Sequence, residues 1–484
     1  MSLKNQNLLY EINTAVYLNR LSRQYERAIS LAEVPDSEIQ KLVDQGVGIV
    51  WLMGVWERSP AAIEIGRHDS NQHAEFRQAL PDVQDGDVIG SAYSIRDYSV
   101  SQSLGGNDGL KSFRERLREK GISLILDFVP NHTAPDHSWS QSNPEYYISG
   151  SAEELAADPL SYLEIDGKVF AKGRDPEYPA WSDVIQLNAF ASAYRQQAIE
   201  TLRSITALCD GVRCDMAMLM MTDIFERTWG ERAGAKPETE FWEEIIPAVH
   251  DTKPDFIFLA ETYWDTELDL VLQGFDYCYD KILYDILLEN GAEAIMEHLQ
   301  ETSPYRDHLA NFIENHDEQP AAAVLAPDQE KAAVAIVATL PGLWLFHDGQ
   351  AEGFKTKLPV HLGRGPIENI DINLQDFYTK LLSIINKLSL SEATWRLVKC
   401  DDVNCVTYEW TGNDSRNIII VNYSPEQTRA TVYPAEYISE IKDFVDEMTG
   451  DKFFMSKVSV DEDSLECVLG PWQVRLLAQN KIEV

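Results

Sequence analysis

From about residue 8 to 390 the chain alternates short apolar, β-branched runs with stretches of helical periodicity, and this alternation limits the fold more than any other feature. Consecutive parallel strands need a crossover between them, so such a pattern builds a parallel sheet covered by helices. Eight runs read as strands, at 8–12, 47–53, 123–128, 209–214, 256–260, 275–277, 309–313 and 343–346. Eight is the number at which these units close into a (β/α)8 TIM barrel. The intervening segments carry helix signals. Leu110, Phe113 and Leu117 recur at helical spacing, with Asn107 or Asp108 expected as the N-cap and Gly121 as the stop. Pro327 and Pro341 bracket a second helix expected over 328–340.

Four of the apolar runs end in polar groups. Asp127 lies at the end of the third run with Asn131 and His132 after it, Arg213 and Asp215 close the fourth, Glu261 follows the fifth, and His316 and Asp317 follow the seventh. In a closed barrel of parallel strands these positions share the C-terminal face, where barrel enzymes assemble their active sites. Arg213 lies two residues before Asp215, so in a strand both side chains point the same way.

Two connections, 56–106 and 133–188, are too long for ordinary barrel loops, and both leave from that face. Beyond residue 391 the pattern changes to short strands separated by turns, at 406–410, 417–423, 430–433 and 472–477, as in an antiparallel β domain. The expected organisation is a barrel over 1–390 with an inserted region at 133–190, then a C-terminal β-sandwich over 391–484.

Composition narrows the partners. Lys and Arg total 41 against 79 Asp and Glu, a formal charge of −38. Such a chain repels phosphate backbones and anionic lipid, so neither nucleic acid nor a membrane surface is expected, and a neutral ligand such as a sugar is compatible. Charged residues interrupt the first 24 positions, which therefore lack the apolar core of a signal peptide. No run of about 18 apolar residues exists to span a bilayer. The six cysteines form no CxxC pair, and Cys209 and Cys214 are expected on opposite faces of one strand. Reduced thiols in a cytoplasmic protein are the expectation.

The four polar segments, in this order, resemble the α-amylase superfamily, the family 13 glycoside hydrolases. The resemblance implies a retaining double displacement on α-linked glucans or gluco-oligosaccharides, first of all α-1,4. It makes Asp215 the nucleophile, Glu261 the acid/base and Asp317 the third carboxylate, which would raise the proton affinity of Glu261. Arg213 would keep the nucleophile ionised and oriented, His132 and His316 would donate to a bound glucosyl unit, and Tyr93 would stack beneath it. Trp181, Tyr263 and Trp264 are further stacking candidates, and 183–188 resembles a weaker fifth segment. The 133–190 insertion matches the place of the superfamily's small B domain. The same site serves transglycosylases and trehalose-forming isomerases, and a non-catalytic binding relative is the alternative from another class. No cofactor is required. Asn131 matches a position that helps bind calcium in many members, but no partner ligand is identifiable.

The chain also departs from the family pattern. Lys-His often follows the nucleophile by three and four residues; here Met218 and Leu219 stand there, which would make the leaving-group subsites apolar. Ser94 replaces the Asp that often follows the platform tyrosine in exo-acting members.

Overall fold

Eight parallel strands close on themselves in sequence order in the computed structural model, which describes residues 8–388, 390, 393–412, 415–434, 443–457 and 463–479. They are β1 (Leu8–Asn13), β2 (Ile49–Met53), β3 (Ser123–Phe128), β4 (Gly211–Cys214), β5 (Ile257–Ala260), β6 (Tyr277–Tyr279), β7 (Leu309–Asn311) and β8 (Leu343–His347). Both faces of the strands are buried, which is why they read as continuous apolar runs rather than alternating ones. Leu9, Ile49, Ile125, Ile257, Leu259 and Leu345 fill the barrel interior. Their neighbours Tyr10, Val50, Leu124, Val212 and Phe258 pack outward against the helices. Gly211 is required where β4 approaches β5: a Cβ there would lie 2.6 Å from Cβ of Ile257 and 2.7 Å from its carbonyl oxygen.

Three local expectations shift. β6 begins two residues later than the apolar run, because Gly274 (φ 112°) turns the chain and Phe275 packs outward on Trp242, with ring centroids 4.8 Å apart. Cys209 precedes β4 and donates its backbone N–H to Ile205 O at the end of a helix, so it shares no strand with Cys214. All six cysteines are nevertheless free. The helix Gly106–Glu119 is capped by Gly105 at φ 106° rather than by Asn107 or Asp108. Asn107 instead accepts from Val100 N at 3.0 Å, tying the helix to the strand before it. Its stop is as the sequence indicates, with Gly121 at φ 79° and Ile122 N–H donating back to Leu117 O. The second expected helix occupies Pro327–Thr339, with its proline in the first turn.

The long connections fold over the C-terminal mouth of the barrel. The first carries the strand pair Trp56–Arg58 and Ile95–Val100 and the helices Pro60–His68 and Ser70–Ala79. In the second, His132–Thr133 pairs with Ile185–Gln186, and Tyr162–Ile165 with Lys168–Ala171. Beyond the barrel lie a six-stranded antiparallel sheet, centred on Cys405–Thr411, Arg416–Asn422 and Val474–Gln479, and a four-stranded one built on Thr428–Tyr433 and Asp463–Leu469. Val398, Ile418, Val432, Leu465 and Leu477 form the core between them. The expected boundary at Ser391 lies outside the described residues.

Candidate active site

The ends of β3, β4 and β5 are laced together beyond the strands themselves. Asp215 N–H donates to Phe128 O, Glu261 N–H to Cys214 O, and Ala217 N–H to Glu261 O. Both carboxyl groups therefore hang from backbone that the ladder still holds, and both are buried. Arg213 lies between them, wholly enclosed. Its Nη1 donates to Asp215 Oδ1 at 2.7 Å, while Nη2 lies 2.9 Å from Glu261 Oε2 and 3.8 Å from Asp317 Oδ2. The rings of Trp51, Tyr93 and Tyr279 surround the guanidinium at 5.2, 5.2 and 5.7 Å, and the Tyr279 hydroxyl lies 3.3 Å from Nε. A charge in an aromatic cage is costly unless paired, and here three carboxylates supply the pairing.

Burial and charge set the protonation states. Burial pushes Glu261 up to about 7; Arg213 opposes this, and the negative charges of Asp215 and then Asp317 reinforce it. The negative charge of Asp317 thus acts on Glu261 in the expected direction, but after burial and Asp215. Asp215 is also raised by burial, with Arg213 as the chief opposing influence. Burial opposes ionisation of Asp317 too, but the adjacent His316, then Arg213 and Lys357, hold it well below the usual carboxylate range. His132 is carried down to about 4 by burial and stays neutral.

His316 is clamped from two sides. Its Nδ1 lies 2.5 Å from Glu11 Oε1, and its Nε2 lies 2.9 Å from Asp317 Oδ2 and 2.6 Å from the Tyr93 hydroxyl. Burial disfavours its charge, yet Asp317 and Glu11 outweigh that and raise it to about 10. Both ring nitrogens are taken by protein groups, so the expected donation from His316 to a sugar is not available in this arrangement. Asp127, with no assigned role in the sequence reading, accepts from Trp51 Nε1 at 3.1 Å and Gly54 N at 2.8 Å, fixing the end of β2 against β3.

These groups meet at a cavity of about 1240 Å³. Asp215, Glu261 and Asp317 line it together with Tyr93 and His132. Arg213 and His316 stand behind the wall. Trp181, Tyr263 and Trp264 are on the wall, with Trp181 5.1 Å from the His132 ring. Met218 and Leu219 are not: both are buried in the core outside the barrel, so the expected apolar leaving-group rim is not made by them. The chain turns at Met216 (φ 44°) into the short helix Ala217–Met220, which carries the following side chains away from the mouth. Met216 lines the cavity instead. Ser94 is buried and donates to Asp183 O. Asn131 is engaged within the protein, where Gln186 Nε2 donates to both its side-chain and backbone oxygens, at 2.8 and 2.9 Å. No cluster of three or more His, Cys, Asp or Glu side chains suited to a metal exists among the described residues.

Glu11, Met216 and Tyr279 are the contributors that sequence reasoning missed. A signal existed for Glu11: it is the one charge inside β1, on the inward face it shares with Leu9. Met216 and Tyr279 carry no comparable mark, since one acts through its backbone and the other reads as an ordinary buried aromatic.

Comparison with known proteins agrees with this fold. The model of the α-amylase catalytic domain matches residues 38–272. Among curated relatives, α-amylase MalA of Haloarcula japonica is 24% identical over 72% of this chain and 50% of its own length. The trehalose synthase/amylase TreS of Mycolicibacterium smegmatis is 26% identical over 49% of this chain and 44% of its own. The chain thus spans about half the length of the curated relatives it matches. Among solved structures, the maltogenic α-amylase AmyB of Thermotoga neapolitana shares the fold over 99% of both chains at 21% identity, with a TM-score of 0.72. A catalytic-domain match that runs through Glu261, together with a barrel whose fold coincides with that of a solved α-amylase, supports the α-amylase superfamily, the family 13 glycoside hydrolases, as the family this chain resembles.

Proposed function

We propose that the chain is a retaining glycosidase of α-linked glucans or gluco-oligosaccharides, with α-1,4 linkages the first to test. Asp215 attacks the anomeric carbon while Glu261 protonates the departing glycosidic oxygen; Glu261 then takes a proton from the acceptor that releases the sugar. The observation that carries this reading is the single guanidinium of Arg213 reaching both carboxyls, at 2.7 and 2.9 Å. One such group can serve both only if they are close, which supports the shorter carboxyl separation of a retaining enzyme, about 5–5.5 Å, over the wider one that admits a water. The elevated proton affinity of Glu261 and the ionised Asp317 beside it support the division into acid and hydroxyl-holding carboxylate. Tyr93 and His132 contact the glucosyl unit from the cavity wall. Arg213 and His316 act from behind, one orienting Asp215 and Glu261 and the other Asp317.

Double displacement draws on protein carboxyls alone and requires no cofactor. A charge of −38 supports a neutral sugar as partner rather than nucleic acid or membrane. No helix among the described residues is long and apolar enough to cross a membrane. Six free cysteines support a reducing, cytoplasmic setting.

A second reading is transfer to a sugar acceptor. The aromatic and apolar wall beside Glu261, made by Met216, Tyr263 and Trp264, supports it, as does the matching of relatives named trehalose synthase/amylase and maltosyltransferase. Product chromatography on maltose, maltotriose, trehalose, sucrose and starch tests both readings. Hydrolysis yields shorter glucans and glucose; transfer yields longer oligosaccharides or trehalose from maltose. Binding of these sugars without any turnover would overturn both in favour of a non-catalytic module.

A further inference from the structure

The two oxygens of the Glu261 carboxyl have different surroundings. Oε2 faces donors only: the Met216 N–H at 2.5 Å and Arg213 Nη2 at 2.9 Å. Neither can accept a proton, so an acidic hydrogen on Oε2 would meet the Met216 N–H and the positive guanidinium. The proton of the acid form must therefore reside on Oε1. That oxygen has a different partner, the hydroxyl of Tyr263 at 3.1 Å. A phenol can donate to a carboxylate and accept from a carboxylic acid, so it suits an oxygen whose proton comes and goes. Burial and the nearby Glu261 carboxyl raise Tyr263 well above its ordinary value, which keeps it a neutral phenol through the working range.

The backbone is arranged to hold that hydroxyl. Tyr263 is half-buried on the cavity wall, and its carbonyl accepts from Thr266 Oγ1 at 2.7 Å. The two residues after it, Trp264 and Asp265, adopt φ values of 63° and 58°, a region that side chains other than glycine's enter only when the surroundings enforce it. This tight turn joins β5 to the helix Glu267–Leu272 and directs the Tyr263 ring back onto the residue two positions earlier. The other ionisable groups facing Glu261 are Arg213 and Asp215 from β4, Asp317 from the loop after β7, and Tyr279 from β6; none of them is hydrogen-bonded to Oε1.

We propose that Tyr263 is a positioning residue for proton transfer, whose hydroxyl fixes Oε1 of Glu261 as the proton-carrying oxygen and aims it at the leaving group. The inference rests on the reading of Glu261 as the acid/base. In the first step the Oε1 proton passes to the glycosidic oxygen, which takes the electron pair of the breaking bond to the anomeric carbon. An Asp215 oxygen forms the new bond to that carbon, and Tyr263 turns its hydrogen to the newly ionised Oε1. A sugar platform is the competing role for this ring, and it needs no hydroxyl.

Tyr263→Phe separates the two roles because it keeps the ring and removes only the hydroxyl. The test is the pH profile of kcat/KM for the variant and the native enzyme, on maltotriose and on an activated aryl α-maltoside, with thermal melting to verify the fold. Loss of a donor to the ionised form raises the proton affinity of Glu261, so the alkaline limb should move up by at least half a pH unit. At the optimum, kcat on maltotriose should fall by roughly tenfold, and less on the aryl substrate, whose leaving group needs little protonation. In a Glu261→Gln background the second change should cost nothing further. An unmoved alkaline limb, or an effect confined to KM, would overturn the proposal. If Glu261→Gln itself retained maltotriose turnover, the acid/base reading would fail first, a result distinguishable from failure of Tyr263 alone.

Discussion

Arg213 and Asp215 sit two residues apart at the tip of one strand and meet through a 2.7 Å hydrogen bond, so β4 supplies a carboxylate together with its own counter-ion. The pairing is set by strand geometry, which sends alternate side chains to the same face. Arginine suits the position because its planar fork presents two nitrogens in fixed relation, one for Asp215 and one for Glu261.

Replacing the fork by a point charge should therefore expose its role. Arg213→Lys retains the positive charge but cannot serve both carboxyls at once. We expect kcat/KM on maltotriose to fall by roughly 100-fold or more, while the fold persists. Steady-state kinetics alongside a thermal melt checks this, and near-native kcat/KM would show that charge alone suffices.

Activity should fall as pH rises through about 7, where Glu261 gives up its proton. Asp317→Asn removes a negative charge that raises Glu261, so the alkaline limb of its residual activity should move downward. An activated aryl substrate gives enough signal to measure that limb. A limb displaced upward would contradict the electrostatic account.

The barrel and most of the site were legible because the same physical demand shaped both. Strands buried on two faces must be apolar along their length, and a polar residue at their ends stands out against that background. Asp215, Glu261 and Asp317 could be found in this way. Met218 and Leu219 could not be read correctly, because their placement depends on a left-handed turn at Met216 that no sequence pattern marks. His316 showed itself as a site residue but not its orientation, since its partner Glu11 lies 305 positions away. Glu11 was visible only as a charge that breaks an apolar N-terminal run.

That buried pair carries a stability prediction. His316 is raised from about 6.5 to about 10, so its charged form contributes stability that is full below about 6.5 and is lost as pH rises through about 10. The native protein should lose melting temperature across this window. Glu11→Gln should be less stable at neutral pH by about 1–3 kcal/mol and show a flatter decline toward pH 10. Parallel curves for the two proteins would contradict the assignment.

Restoring the family's histidine at position 219 should not restore a sugar contact. Leu219 is 3% exposed and packs in the core, so Leu219→His buries a polar ring without a partner and should cost about 1–3 kcal/mol. The dependence of kcat/KM on chain length from maltose to maltoheptaose should be unchanged. A selective gain on long chains would show that position 219 reaches the substrate after all.

If Asp215 forms a covalent bond to the sugar during turnover, that species can be trapped. A fluorosugar with an activated leaving group slows the second displacement, so the glycosyl-enzyme accumulates and can be weighed and mapped by peptide mass spectrometry. One added glycosyl mass is expected on the peptide carrying Asp215, absent from Asp215→Asn and abundant in the native protein. A glycosyl adduct on any other residue, or turnover of natural substrate with inverted anomeric configuration and no adduct, would contradict that role for Asp215.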